Sequence, residues 1–141
     1  DMYVWRGLDT SPGAGRFYTQ KENGREMARW MLRFMRVGQT YEGPGHYVQF
    51  YNKSDCSKSS ANSGEAQNVT TLFTHHNSVT FNGIEIHDVV ELGRIGGERF
   101  WFAKNIGMIG WKSGWNESFI SELHSPGSRP NNEREVIQCL R

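Results

Sequence analysis

The sequence predicts a mainly β chain, an antiparallel sandwich or partly open barrel with one short helix. Three observations lead there. Short runs rich in β-branched and aromatic residues alternate with turn formers along most of the chain. Val79-Thr-Phe-Asn-Gly-Ile-Glu-Ile86 contains the Asn-Gly pair that a two-residue type I′ hairpin prefers. Phe100-Trp-Phe-Ala-Lys-Asn-Ile-Gly-Met-Ile-Gly-Trp-Lys-Ser-Gly-Trp115 places three tryptophans at odd positions, with Phe100, Phe102, Ile106 and Met108 at even ones. In extended chain these two sets point to opposite faces.

Taken in order, residues 1–24 carry Tyr3, Trp5, Phe17 and Tyr18 between turn formers such as Ser11-Pro-Gly-Ala-Gly15. They read as an irregular arm or as one or two short strands. Residues 25–37 are ambiguous. Met27, Trp30, Met31, Phe34 and Met35 recur at helical spacing, with Arg25, Arg29, Arg33 and Arg36 elsewhere on the wheel. The alternation of Trp30, Leu32 and Phe34 with Met31 and Arg33 supports a strand instead. The helix is the reading adopted.

Gly43-Pro-Gly45 predicts a turn, and His46–Tyr51 alternates like a half-buried strand. Residues 53–67 are polar and serine-rich and predict a long loop. Strands follow over 69–74 and 78–81. The Asn82-Gly83 turn sets a register in which paired positions sum to 165, so Phe81 faces Ile84 and Val79 faces Ile86 on an apolar side. Thr80 then faces Glu85, and Ser78 faces His87, on a polar side. The second strand continues to Leu92, and a glycine-rich turn at 93–97 returns the chain into 99–102. Residues 118–123 read as a last strand, and 133–140 as a closing helical turn or strand.

At 141 residues the length suits a single domain, 1–141, able to bury a core. The 13% aromatic content argues against disorder. A net charge near +1 gives no sustained basic field, so nucleic acid is not an expected partner. No apolar run reaches the roughly 18 residues of a membrane span. Beginning at Asp1, the chain reads as a processed or excised domain. Cys56 and Cys139 are expected to form one disulfide, and a Cys-only zinc site is excluded. Sequons at Asn52-Lys-Ser54, Asn68-Val-Thr70 and Asn116-Glu-Ser118 add support for export.

Arg36-Val-Gly-Gln39, the hairpin over 79–90 and Phe100-Trp-Phe-Ala-Lys-Asn-Ile-Gly-Met-Ile109 together resemble part of certain exported bacterial β domains. In those, an aromatic-aromatic-Ala-Lys/Arg-x-Val/Ile-Gly-x-Val/Ile strand follows a Val-Gly-Gln opening. Such domains occur as lipoproteins and as accessory modules of secreted polysaccharide-acting enzymes. The resemblance covers about half the chain, and its motifs are structural; it implies an exported β domain.

No catalytic signature accompanies it. Glu85 and Glu91 share a strand direction but stand about 20 Å apart, beyond the spacing of a glycosidase pair. Glu91 and Glu98 flank the glycine-rich turn, and nothing singles them out. No nucleophile elbow, phosphate loop or dinucleotide fingerprint occurs. His76 and His87 with Glu85 are the candidate metal ligands, although the expectation is that no metal or other cofactor is used. Asn52 and Asp55 lack the spacing of a calcium loop.

The functional expectation is a secreted, non-catalytic carbohydrate-binding domain. Trp101, Trp111 and Trp115 would form an aromatic platform for polysaccharide, with Lys104, Asn105, Lys112 and Asn116 as polar neighbours. The alternative is an extracellular structural or assembly subunit whose aromatics pack against neighbouring copies, giving self-association.

Overall fold

The computed structural model describes residues 2–11, 15–81, 83–112 and 139. They form antiparallel sheets of nine strands: β1 (Tyr3–Arg6), β2 (Leu8–Ser11), β3 (Arg16–Lys21), β4 (Ala28–Leu32), β5 (Thr40–Asn52), β6 (Lys58–Phe81), β7 (Ile84–Gly93), β8 (Arg99–Ala103) and β9 (Gly107–Lys112). β1 pairs with β4, and the remaining strands follow the order β2-β3-β5-β6-β7-β8-β9. The described residues pack as two compact units. The first holds those up to 33, those from 42 to 68, and Cys139; the second holds 34–41 and those from 69 to 112.

In the first unit the supposed N-terminal arm is three strands. β2 and β3 form a hairpin, with Leu8 opposite Thr19, and β3 continues onto β5 with Phe17 opposite Tyr51 and Gln20 opposite Val48. Phe17 is fully buried and stacks on Tyr51, ring centroids 5.0 Å apart. The helix expected over 25–37 is replaced by strand β4, with Tyr3 opposite Leu32 and Trp5 opposite Arg29. The reason is tertiary: β1 supplies a ladder, Ala28 is buried to 0% exposure, and Arg33 N donates to Met2 O at 2.9 Å. Phe34, a member of the helical stripe that falls in the second unit, is 83% exposed.

Two further expectations change. Gly43-Pro-Gly45 lies inside β5 rather than in a turn. β3 ends opposite Tyr47, so β5 has no β3 partner at Pro44 whose ladder the missing N–H would break. The predicted loop over 53–67 shrinks to 53–57, because Lys58 onward is β6. Serines make this possible by standing in for backbone partners. Ser63 Oγ accepts from Phe50 N at 2.9 Å and donates to Ser59 O at 2.6 Å, next to backbone irregularities at Asn62 and Gly64. The remaining turn is held by Asp55, whose carboxylate accepts from Ser57 N and Oγ and is thereby kept below its ordinary pKa. Cys56, in this turn, is disulfide-bonded to Cys139 as expected, with Cα atoms 5.2 Å apart.

In the second unit the β6–β7 hairpin takes the predicted register: Phe81 opposite Ile84, Thr80 opposite Glu85, Val79 opposite Ile86, and Ser78 opposite His87. Ile86 is buried, and Val79 packs against the same cluster as Val89, Trp101, Ala103 and Ile109. The apolar side does not reach the hairpin tip, since Ile84 is 56% exposed. Asp88 adopts a left-handed φ of 53°. Burial along β7 changes phase there: Ile86 and Val89 are both buried, an odd interval that strict strand alternation would not produce.

Candidate functional site

The tryptophan platform depends on the register of β8 and β9. The structure pairs Phe100 with Trp111, Trp101 with Gly110, Phe102 with Met108 and Ala103 with Gly107. The pairing shifts by one between Trp101 and Phe102, leaving Ile109 as the extra residue of a β-bulge. Directly paired residues share a face. Trp111 therefore stands on the side of Phe100, while Trp101 projects to the other.

The two indoles consequently meet different environments. Trp101 is 4% exposed and lies in the cluster of Ile86, Val89, Ala103 and Ile109, with glycine opposite it in the ladder. It is a core residue, which corrects its assignment to an exposed platform. Trp111 is 42% exposed. Met108, 37% exposed, pairs with Phe102 next along the same side, and Ile106 at the turn is 45% exposed. Phe100 and Phe102 stand beside this strip on the neighbouring strand with ring centroids 6.4 Å apart, Phe100 being buried. The even-numbered set is thus divided, with Phe100 buried and Met108 exposed.

Lys104 and Asn105 are exposed at the β8–β9 turn, which closes through Ile106 N donating to Ala103 O at 3.1 Å. Asn105 there has a φ of 63°. Lys104 lies four residues beyond Phe100, about 13 Å along the strand from the position opposite Trp111. Both side chains therefore flank the far end of the apolar strip. Lys112 pairs with Arg99 at the backbone. Trp115 and Asn116, and the strand expected over 118–123, lie outside the described residues.

The candidate metal ligands are not brought together. His87 sits opposite Ser78 and Glu85 opposite Thr80, whereas His76 turns to Glu91, Nε2 to Oε2 3.5 Å. Glu91 is also held by Arg99, whose guanidinium lies 2.6 Å from Oε1 and over the Phe73 ring. Among the described residues no three His, Cys, Asp or Glu side chains are grouped closely enough to hold a metal ion. Among the described residues no helix is long and apolar enough to cross a membrane.

Sequence reasoning missed a polar centre in the first unit. Glu22, 2% exposed, accepts from Arg29 N at 3.1 Å and lies 3.0 Å from Arg29 Nε. His46, 4% exposed, is nearby; burial holds its pKa below the ordinary value, against the pull of the Pro44 carbonyl, Glu22 and Glu65. Asn68 Nδ2 donates to Gln20 Oε1 at 3.2 Å and to Arg29 O at 2.9 Å. That commitment makes Asn68 a structural amide and disfavours its use as a glycan acceptor. The available signal was Asn23-Gly24, a second Asn-Gly pair. Its turn has left-handed φ at both residues, 48° and 80°, and reciprocal bonds between Glu22 and Arg25. No protein-family model, curated protein or solved structure matches this chain.

Proposed function

We propose that this chain is a non-catalytic carbohydrate-binding domain of an exported protein, taking polysaccharide on the Trp111 side of the β8–β9 hairpin. The half exposure of Trp111 carries the reading. An indole held in a strand offers a flat face on which the C–H side of a sugar ring can stack. Met108 extends the apolar contact. Lys104 and Asn105 would supply hydrogen bonds several sugar units along a bound chain; Lys112, Trp115 and Asn116 are nearer in sequence. Trp101 has a different part, holding β8 rigid from the core side. The Cys56–Cys139 disulfide supports export, because such bonds persist in oxidising compartments.

The test pairs a polysaccharide array with a thermal melt. Trp111→Ala should weaken binding about tenfold, the order of a lost aromatic stack, and leave the melt nearly unchanged. Absence of binding to every neutral polysaccharide by the wild type would overturn the proposal.

A second reading rests on a separate observation, that Ile106, Met108 and Trp111 are exposed along one hairpin. Such a strip also suits a neighbouring copy in an extracellular assembly, since aromatic and methionine side chains anchor protein interfaces. Sedimentation that shifts with concentration, and loses that shift in Met108→Lys, would favour this reading.

A further inference from the structure

At the β1–β4 sheet two aromatic rings and two guanidinium groups cluster together. Arg29 lies over Tyr3 at 4.7 Å and over Trp5 at 5.7 Å, and Arg25 lies over Trp5 at 4.8 Å. Tyr3 and Trp5 meet edge-on at 6.2 Å. Arg29 thus touches both rings of this edge-on pair, and Arg25 touches Trp5 alone. The two arginines differ in charge balance. Arg29 is neutralised by the buried Glu22. Arg25 is exposed, and among the described residues no carboxylate pairs with it; the adjoining Glu26 is engaged by Lys21 at 3.1 Å.

We propose that Arg25, held against the Trp5 ring at the edge of this cluster, binds the carboxylate groups of an acidic polysaccharide. Cation–π attraction to the ring restrains the guanidinium fork, so less side-chain freedom is lost when a carboxylate arrives. That fork matches a carboxylate in two parallel hydrogen bonds. The partly exposed Tyr3 and Trp5 rings beside it provide apolar surface for the sugar that bears the acid. Nucleic acid is disfavoured as the ligand. A chain of net charge +1 gives little of the field that phosphate backbones require. The site shares no residue with the Trp111 strip, so either can fail without the other.

The experiment is a calorimetric titration of the whole chain with oligogalacturonate, neutral galactan, poly-glutamate and duplex DNA. Oligogalacturonate should bind, with affinity falling as salt rises, and the other three should bind at least tenfold more weakly. Arg25→Gln should weaken uronate binding about tenfold while Trp111→Ala leaves it unchanged. Arg25→Lys, which keeps the charge but loses the fork, should fall between. A cluster that serves only to join β1 and β4 would lower the melt of Arg25→Gln without wild-type uronate binding, and that result overturns the proposal. Equal or tighter binding of poly-glutamate or DNA would overturn it in favour of an acidic peptide or a nucleic acid.

Discussion

The two Asn-Gly turns of this chain share a dipeptide and lead to different structures. At Asn82-Gly83 the flanking strands stay paired from Phe81 and Ile84 out to Thr71 and Gly93. At Asn23-Gly24 the ladder stops after a single bridge, Glu22 to Arg25, and the chain departs to pair β4 with β1. Gly24 and Gly83 have nearly equal φ values, 80° and 78°, so the conformation of the glycine is not the difference. The flanking residues are. Val79 and Ile86 face each other across the second hairpin and continue into an apolar core. Across the first, Lys21 and Glu26 make only an exposed ion pair, a type of contact that adds little. Glu22 instead turns its carboxylate to Arg29 and draws β4 to another partner. A turn dipeptide sets a reversal; cross-strand pairs decide whether a ladder follows.

The largest test of this contrast is the apolar anchor. Trp101→Ala should destabilise the chain by about 3–5 kcal/mol through cavity formation, whereas Trp111→Ala should stay within about 1 kcal/mol. Urea unfolding of both variants checks it; similar costs would mean that the bulge at Ile109 does not separate the two indoles. The polar anchor comes next. Glu22→Ala leaves Arg29 without its carboxylate in a partly buried site and should cost about 3 kcal/mol. If the pair rather than the glutamate alone directs β4, Arg29→Ala in the Glu22→Ala background should add little. A double-mutant cycle giving simple additivity would sink that account.

The turns themselves sharpen the comparison. A Cβ at Gly24 or at Gly83 meets nothing within 4 Å, so only the left-handed backbone opposes a substitution. Gly24→Val and Gly83→Val should each cost about 1–2 kcal/mol, and nearly the same amount. Unequal losses of melting temperature would show that one turn is supported by tertiary contacts the other lacks. Gly93 offers a contrast in kind, because there an added methyl would run into the Glu98 carbonyl.

The subtlest effect concerns pH. Burial lowers the His46 pKa, so the folded state holds the ring neutral while the unfolded chain takes up a proton near 6.5. The stability associated with this neutral ring is therefore present above pH 6.5 and is lost as pH falls through that value toward the folded pKa. His46→Gln should flatten that part of the pH–stability curve. An unchanged curve would place the acid sensitivity elsewhere.

By itself, the sequence determined the antiparallel β class, the register around Asn82-Gly83 and the pairing of the two cysteines. The first two rest on local rules, strand alternation and turn chemistry, that agree with the contacts made later. The cysteine pairing needed only that the chain holds two cysteines. The tertiary structure decided the rest. A bulge at Ile109 moved Trp101 and Trp111 to opposite sides, an outcome that a two-residue period cannot register. Side-chain hydrogen bonds from Ser63 turned a serine-rich segment into strand. The ladder offered by β1 overrode the helical spacing of Met27 to Met35, because strand pairing depends on a partner distant in sequence, whereas a periodic stripe reports only the face a segment would have if it folded alone.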